Sequence, residues 1–175
     1  MHRSIWRTWL PVIALAACGT ETDQRPRSVQ YITEAILAPN CGNAQCHSSF
    51  RNAFGYAFDT VEKSRQSLMG SLIGGITLNT RDEPQGDGET SFLYSVLTRS
   101  VRRMPYDQPL ADADIDLIVR WIDFGAPGAQ CNREADGPMV CVGRKVVECK
   151  ASFDYGAVIE DCAVTGKNCS MGACR

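Results

Sequence analysis

The chain has 175 residues, nine cysteines and a formal net charge of −2. This length suits one compact domain with a small appendage. A near-neutral charge gives no support for nucleic-acid binding, which needs a strongly basic surface.

The N-terminal residues 1–17 have the pattern of a secretory leader. The basic residues Arg3 and Arg7 precede an apolar run at 9–17, which is too short to span a bilayer and is interrupted by Pro11. A secretory signal peptide is therefore predicted, and no transmembrane helix is needed.

The end of this leader, Leu15-Ala16-Ala17-Cys18-Gly19, resembles the bacterial lipobox, in which small residues precede a cysteine that is lipidated. By that resemblance Cys18 becomes the lipid-bearing mature N-terminus. The alternative is an ordinary signal peptide in which Cys18 is incidental. We expect an exported protein, lipid-anchored in the cell envelope at the periplasmic face or the outer membrane.

Residues 18–27 are polar and aperiodic, which predicts a flexible tether. A first helix is then predicted from Ser28, with apolar residues at helical spacing until Pro39-Asn40. Further helices are predicted from Asp59 or Thr60 to Gly70 and from Thr90 or Ser91 through Leu97. The run 81–88 is predicted to be a loop.

The strongest helical pattern covers Asp112 to Phe124. Its apolar residues recur on one face, aspartates crowd its first turn, and Gly125 follows as a C-terminal cap. An EF-hand calcium loop would need glycine and glutamate where Leu117 and Asp123 stand. The aspartates are better explained by interaction with the helix dipole.

The C-terminal residues 129–175 predict a small disulfide-rich module. Exported proteins keep disulfides, and this segment is too small to build a core of its own. A zinc site is excluded by the absence of any C-x-x-C pair or histidine, but the sequence does not choose among fifteen pairings. A hairpin is predicted from 139–142 and 145–149. The six cysteines expected to pair are Cys131, Cys141, Cys149, Cys162, Cys169 and Cys174.

The stretch Cys41-Gly-Asn-Ala-Gln-Cys46-His47 carries the main functional signal. Covalent haem attachment uses two thiols, which form thioethers, and a following histidine, which binds the iron. The usual spacing is C-x-x-C-H, whereas four residues separate these cysteines. A Cys41–Cys46 disulfide and a metal site are the alternatives. His47 is the only histidine after the leader.

Met104 is the candidate for the second axial ligand. It lies in a non-helical Arg-Met-Pro segment before the strong helix, and a thioether ligand would raise the potential and close the iron to small substrates. The alternative is a methionine that fills a gap in the core. We find no second histidine to act as a base and no G-x-S-x-G motif, so we predict no enzyme.

The segments CGNAQCH and RMPYDQPLADADIDLIVRWIDFGAP together resemble the class I cytochrome c arrangement, in the style of exported bacterial proteins. The resemblance covers residues 28–128. It implies an all-α, cytochrome c-like helical domain, followed here by the disulfide-rich, mostly β or loop module at 129–175. It also implies one haem c per chain, with Cys41 and Cys46 as thioether sites and His47 and Met104 as proximal and distal iron ligands.

Together these patterns predict a membrane-anchored monohaem c-type cytochrome that carries electrons between redox protein partners. We expect no nucleic-acid partner and no small-molecule substrate. The competing hypothesis is a haem-free surface lipoprotein that uses the same scaffold and the cysteine-rich module to bind a protein or glycan. That hypothesis requires a bridge between Cys41 and Cys46.

Overall fold

The computed structural model describes residues 23–175. The predicted signal peptide and the predicted lipidation site Cys18 lie outside the described residues. Helices make up 30% of the described part, and three small antiparallel sheets accompany them. The prediction of an all-α fold is therefore wrong, and the chain has a mixed, disulfide-rich fold. The reason is that strands form in the module and at 77–85, where the sequence has no helical periodicity.

The first helical stretch begins at Ser28, as predicted. It consists of α1 (Val29–Tyr31), a π-helical segment (Ile32–Leu37) and α2 (Ala38–Asn40). The Ser28 hydroxyl accepts a hydrogen bond from the Tyr31 N–H at 3.2 Å and caps the first turn.

The π-helical segment was not predicted, and it widens the turns that lead to the cysteine loop. Pro39 has no N–H to donate, which interrupts the usual ladder of bonds four residues back. Ala38 instead donates five residues back to the Thr33 carbonyl. The Gly42 N–H is shared between the Leu37 carbonyl at 3.0 Å and the Ala38 carbonyl at 3.1 Å. Such π turns inside helices are frequent at functional sites.

The two middle helices also follow the sequence prediction. Helix α3 spans Val61–Leu68, and the Thr60 hydroxyl accepts from the Lys63 N–H at 3.2 Å. Helix α4 spans Phe92–Thr98 and is capped in the same way by Ser91. Each helix therefore starts where a hydroxyl side chain accepts a hydrogen bond from a first-turn N–H that has no acceptor within the helix.

Helix α5, Asp112–Asp123, crosses the centre of the helical part. Gly125 follows it with φ +84°, which confirms the predicted glycine at the C-terminus. The indole N–H of Trp121 donates to the Pro127 carbonyl at 3.2 Å, so this buried polar group is satisfied. The fully buried side chains of the helices pack into one core: Ile32, Ile36, Leu37, Leu68, Leu117, Ile118, Trp121 and Ile122.

The loop predicted at 81–88 contains a short strand. Strand β1 (Thr77–Leu78) pairs antiparallel with β2 (Pro84–Gln85). Gly86 and Gly88 then pass directly over α5, where an added Cβ would lie 2.6 and 2.7 Å from its carbonyl oxygens. These glycines let the loop backbone lie against the helix.

The C-terminal module has the predicted hairpin and three further strands. Strands β3 (Met139–Val142), β4 (Lys145–Cys149) and β5 (Tyr155–Asp161) form an antiparallel sheet in the order β3-β4-β5. A short helix, α6 (Arg133–Asp136), precedes it, and a small hairpin, β6 (Cys169–Ser170) with β7 (Ala173–Cys174), follows it.

Disulfide bonding in this module is confirmed. The three bridges are Cys131–Cys149, Cys141–Cys169 and Cys162–Cys174. The first joins the start of the module to β4, the second joins β3 to β6, and the third closes the end of the chain. These bridges stabilise a segment whose hydrophobic core alone would be too small to keep it folded.

Polar contacts attach the module to the helices. The Gly128 N–H donates to the Asp154 carboxylate at 2.5 Å, and Arg65 donates through Nε to the Gly128 carbonyl at 2.8 Å. The Arg65 guanidinium also lies 4.1 Å from the centre of the Phe153 ring. Tyr155 packs against the helical core.

Residues 23–27 lie against the N-terminus of α5. Arg25 donates to the Asp114 carboxylate at 2.5 Å and to the Ala113 carbonyl at 2.6 Å. Its hydrogen bonds to Asp23 lower the pKa of that carboxyl from 3.8 to about 2. Because the folded pKa is depressed, this contribution to stability persists above pH 3.8 and is lost as the pH falls toward 2.

Candidate cofactor cavity

A largely apolar cavity opens beside the cysteine loop. Its volume is about 710 Å³, within the usual range for small-molecule and cofactor sites. It lies between the segment after α2 and the segment around α4. Its walls are formed by Leu37, Cys41, His47, Phe54, Tyr56, Phe58, Leu72, Phe92, Leu93, Val96, Leu97, Arg99, Arg102, Met104 and Tyr106.

The two cysteines of the loop differ in environment. Cys41 is buried and lines the cavity, whereas Cys46 is exposed and is not part of its wall. Neither thiol is in a disulfide, so the bridge required by the haem-free hypothesis is absent from the described residues. Six of the eight cysteines in residues 23–175 are paired, and Cys41 and Cys46 are the two that are not.

Burial controls the reactivity of Cys41. Loss of hydration, with a smaller contribution from Cys46, raises the pKa of the Cys41 thiol from 9.0 to about 12. Desolvation disfavours the charged thiolate, so Cys41 is a neutral thiol at pH 7. A neutral thiol is a poor nucleophile and a poor metal ligand.

Hydrogen bonds fix the position of His47. Its backbone N–H donates to the Cys41 carbonyl at 3.0 Å, and its own carbonyl accepts from the Phe58 N–H at 2.6 Å. The ring Nδ1 lies 3.1 Å from the Ala53 carbonyl oxygen. We assign the proton to Nδ1, since a carbonyl can only accept, and this leaves Nε2 with a free lone pair.

Aromatic side chains hold the His47 ring from two sides. The Phe58 ring meets it edge-on with centroids 5.4 Å apart, and the Tyr56 ring lies at 6.3 Å. The backbone that presents the Ala53 carbonyl is unusual, because both Asn52 and Phe54 have positive φ values of 46° and 55°. Such conformations in residues other than glycine concentrate at functional sites.

Met104 reaches the same cavity from the other segment. Its backbone N–H donates to the Val96 carbonyl at 2.8 Å, which ties the segment to the last turn of α4. Its side chain is half-buried and lines the wall. Of the four residues that the sequence assigned to the cofactor, three therefore share one cavity, and Cys46 lies outside its wall.

Sequence reasoning missed two other features of this cavity. Arg99 and Arg102 belong to its wall, as do the exposed aromatic rings of Phe54, Phe92 and Tyr106. The available signal was the run Arg99-Ser-Val-Arg102-Arg103, which places three cations directly before Met104.

The side chains that line this cavity suit the haem group that the sequence implied. A flat, apolar cofactor needs apolar walls and a histidine whose second nitrogen is held by an acceptor. The site combines both properties: the His47 Nδ1–H is held by Ala53, and Cys41 and Met104 line the same wall. Among residues 23–175, no group of three or more His, Cys, Asp or Glu side chains could hold a metal ion by itself.

No protein-family model, curated protein or solved structure matches this chain. In the part of the chain that the structure covers, no helix is both long and apolar enough to cross a membrane. The disulfides are compatible with an extracellular or exported protein.

Proposed function

We propose that this protein is a monohaem c-type cytochrome that carries electrons in the cell envelope. The observation that carries the proposal is the convergence of Cys41, His47 and Met104 on one apolar cavity, with His47 Nε2 free. The likeness of the two segments to class I cytochromes c supports the same assignment.

His47 would bind the iron through Nε2, and Ala53 would hold the ring in the required tautomer. Met104 would supply the second axial ligand. Cys41 and Cys46 would form the two thioether bonds, which requires exposed Cys46, now outside the wall, to turn toward the cavity. When bound, haem supplies one-electron chemistry between ferric and ferrous iron.

The surrounding side chains would set the potential. The cavity wall is mainly aliphatic and aromatic, which excludes water and favours the iron state of lower charge. A thioether ligand acts in the same direction, because it favours ferrous iron. With both axial positions filled, the site would transfer electrons and activate no small substrate.

Anchoring through a lipid on Cys18 completes the proposal. Its support is the lipobox-like sequence before Cys18, together with disulfides that are compatible with export. Lipidation would hold the carrier at the periplasmic face or the outer membrane, near redox protein partners.

The deciding experiment is a pyridine haemochrome assay with a reduced-minus-oxidised spectrum. The protein should be produced in a host with a cytochrome c maturation system and denatured before measurement. We expect one covalently bound haem per chain, because thioether bonds survive unfolding. Colourless protein whose mass matches a Cys41–Cys46 disulfide would instead establish the haem-free lipoprotein.

The same preparation tests the distal ligand. We expect Met104→Ala to retain haem, to lower the potential and to admit added imidazole, because an axial position becomes open. Met69→Ala is the matched control, since Met69 is also partly buried but packs against the core away from the cavity wall. An unchanged potential in Met104→Ala would refute the role of Met104.

A further inference from the structure

Exposed apolar side chains surround the mouth of the cavity. Phe54 and Tyr106 belong to its wall, yet they are 86% and 70% exposed. Val101, in the neighbouring segment, is 71% exposed. Side chains this exposed add little to folding, because the hydrophobic contribution depends on the area removed from water. Clustered exposed apolar groups mark interaction sites on soluble proteins.

Unpaired arginines accompany these apolar groups. Arg99 and Arg102 line the cavity, and Arg103 follows immediately. Within residues 23–175, the arginines that form ion pairs are Arg25, Arg65 and Arg120, so none of these three does. The Nε of Arg103 is buried and has no hydrogen-bond partner in the described part of the chain.

The positive charge at this mouth is a local feature. Residues 99–107 contain three arginines and one acidic residue, Asp107, whereas the whole chain has a net charge of −2. Arg99 also donates through Nε to the Arg102 carbonyl at 2.8 Å, which helps to hold the segment in place. Arg99 and Arg102 therefore lie together in the cavity wall, joined by this hydrogen bond, and Arg103 is next to them in the chain.

We infer that this mouth is a docking surface for an acidic protein partner. Arginine and aromatic residues dominate binding energy at protein interfaces, and arginine pairs in a fork geometry with carboxylates. Complementary charge also speeds the encounter and orients it. The docking surface is inferred independently of the proposed function. Only the identification of the partner as a redox protein rests on that function.

The test measures binding of a defined acidic probe. A fluorescein-labelled peptide that alternates glutamate and phenylalanine is titrated with the purified chain at low salt, and fluorescence anisotropy is followed. The variant is R99Q/R102Q/R103Q. The matched control is R81Q/K150Q/R175Q, which removes the same positive charge from three exposed positions elsewhere.

We expect the arginine variant to bind the peptide about tenfold more weakly and to lose most of its salt dependence. The control should bind like the wild type. Because Arg99 also holds the segment, Arg102→Gln alone is measured too, and it should give a smaller loss in the same direction. Haem content is determined on each sample by pyridine haemochrome, so loss of haem and loss of docking are read separately.

Three results would overturn the inference. One is an equal loss of binding in the variant and the control, which would reduce the effect to net charge. Another is no binding of the peptide by the wild type, including the case in which a parallel titration shows that the chain binds vesicles of anionic phospholipid instead. The third is a variant that loses haem while it keeps its affinity for the peptide. Haem-free protein that still binds through the arginines would support docking and refute the proposed function alone.

Discussion

At the scale of single residues, the two cysteines of the cysteine loop, Cys41 and Cys46, differ more than their shared motif indicates. Cys46 is exposed, whereas Cys41 is buried in the cavity wall. The attacking species in alkylation is the thiolate, so both exposure and pKa decide the rate. Burial raises the pKa of Cys41 to about 12.

Haem-free, folded protein that carries Cys18→Ser, so that no third thiol is counted, should therefore react with iodoacetamide at Cys46 only. We expect one adduct by mass spectrometry at pH 7, and still one near pH 9, where an ordinary thiol ionises. Because burial raises the pKa of the Cys41 thiol, this thiol keeps its proton until the pH approaches 12. The control is protein unfolded in urea, which should carry two adducts. Zero adducts on the folded protein would indicate a Cys41–Cys46 bridge.

The sequence singled out Cys41, His47 and Met104, which share this cavity, but not the rest of its wall. His47 and Met104 stand out because each sits in a short motif whose residue types have few other uses. The partner of His47 was hidden, because Ala53 contributes only a backbone carbonyl that a particular loop conformation presents. No side-chain pattern encodes that contact.

At the scale of elements, close approach of backbones decides where glycine is required. Gly125 ends α5 with φ +84°, and a Cβ there would lie 2.6 Å from the Pro84 carbonyl oxygen. Gly70 has nearly the same φ, +83°, but a Cβ there would meet no heavy atom within 4 Å. Substitutions at these two glycines therefore distinguish the cost of the backbone conformation, which both share, from the cost of the steric contact, which only Gly125 has.

Gly125→Ala should lower the free energy of unfolding more than Gly70→Ala does. A residue with a Cβ in the left-handed region costs about 1 kcal/mol, which both variants share. Gly125→Ala must in addition displace β2 from the end of α5, so we expect at least roughly twice the loss. Urea denaturation followed by circular dichroism measures both, and equal losses would show that β2 shifts without cost.

Helix starts were predictable, because Ser28, Thr60 and Ser91 cap them through local hydrogen bonds. Strands β1 and β2 were not, since two residues each leave no alternating pattern to detect. The disulfide pairing was equally hidden. It depends on which strands meet in the module, and that is a property of the folded chain.

At the scale of the whole molecule, part-buried polar contacts help to join the module to the helices. The Asp154 carboxylate accepts from the Gly128 N–H across this junction. Asp161 makes a similar bond, to the Ala163 N–H at 2.9 Å, but wholly within the module. Hydrogen bonds to charged groups contribute more to stability than neutral ones, and a buried N–H left without a partner is costly.

Asp154→Ala should therefore destabilise the helical part, although Asp154 lies outside it. We expect a loss of about 1–3 kcal/mol in the free energy of unfolding, against little change for the control Asp161→Ala. Trp121 is buried in the helical core, and the other two tryptophans, Trp6 and Trp9, belong to the predicted leader. Its fluorescence in haem-free mature protein thus reports the helical core during urea denaturation. A midpoint that is unchanged in Asp154→Ala would mean that the module and the helices unfold independently, in which case the disulfides stabilise the module alone and contribute nothing to the cavity.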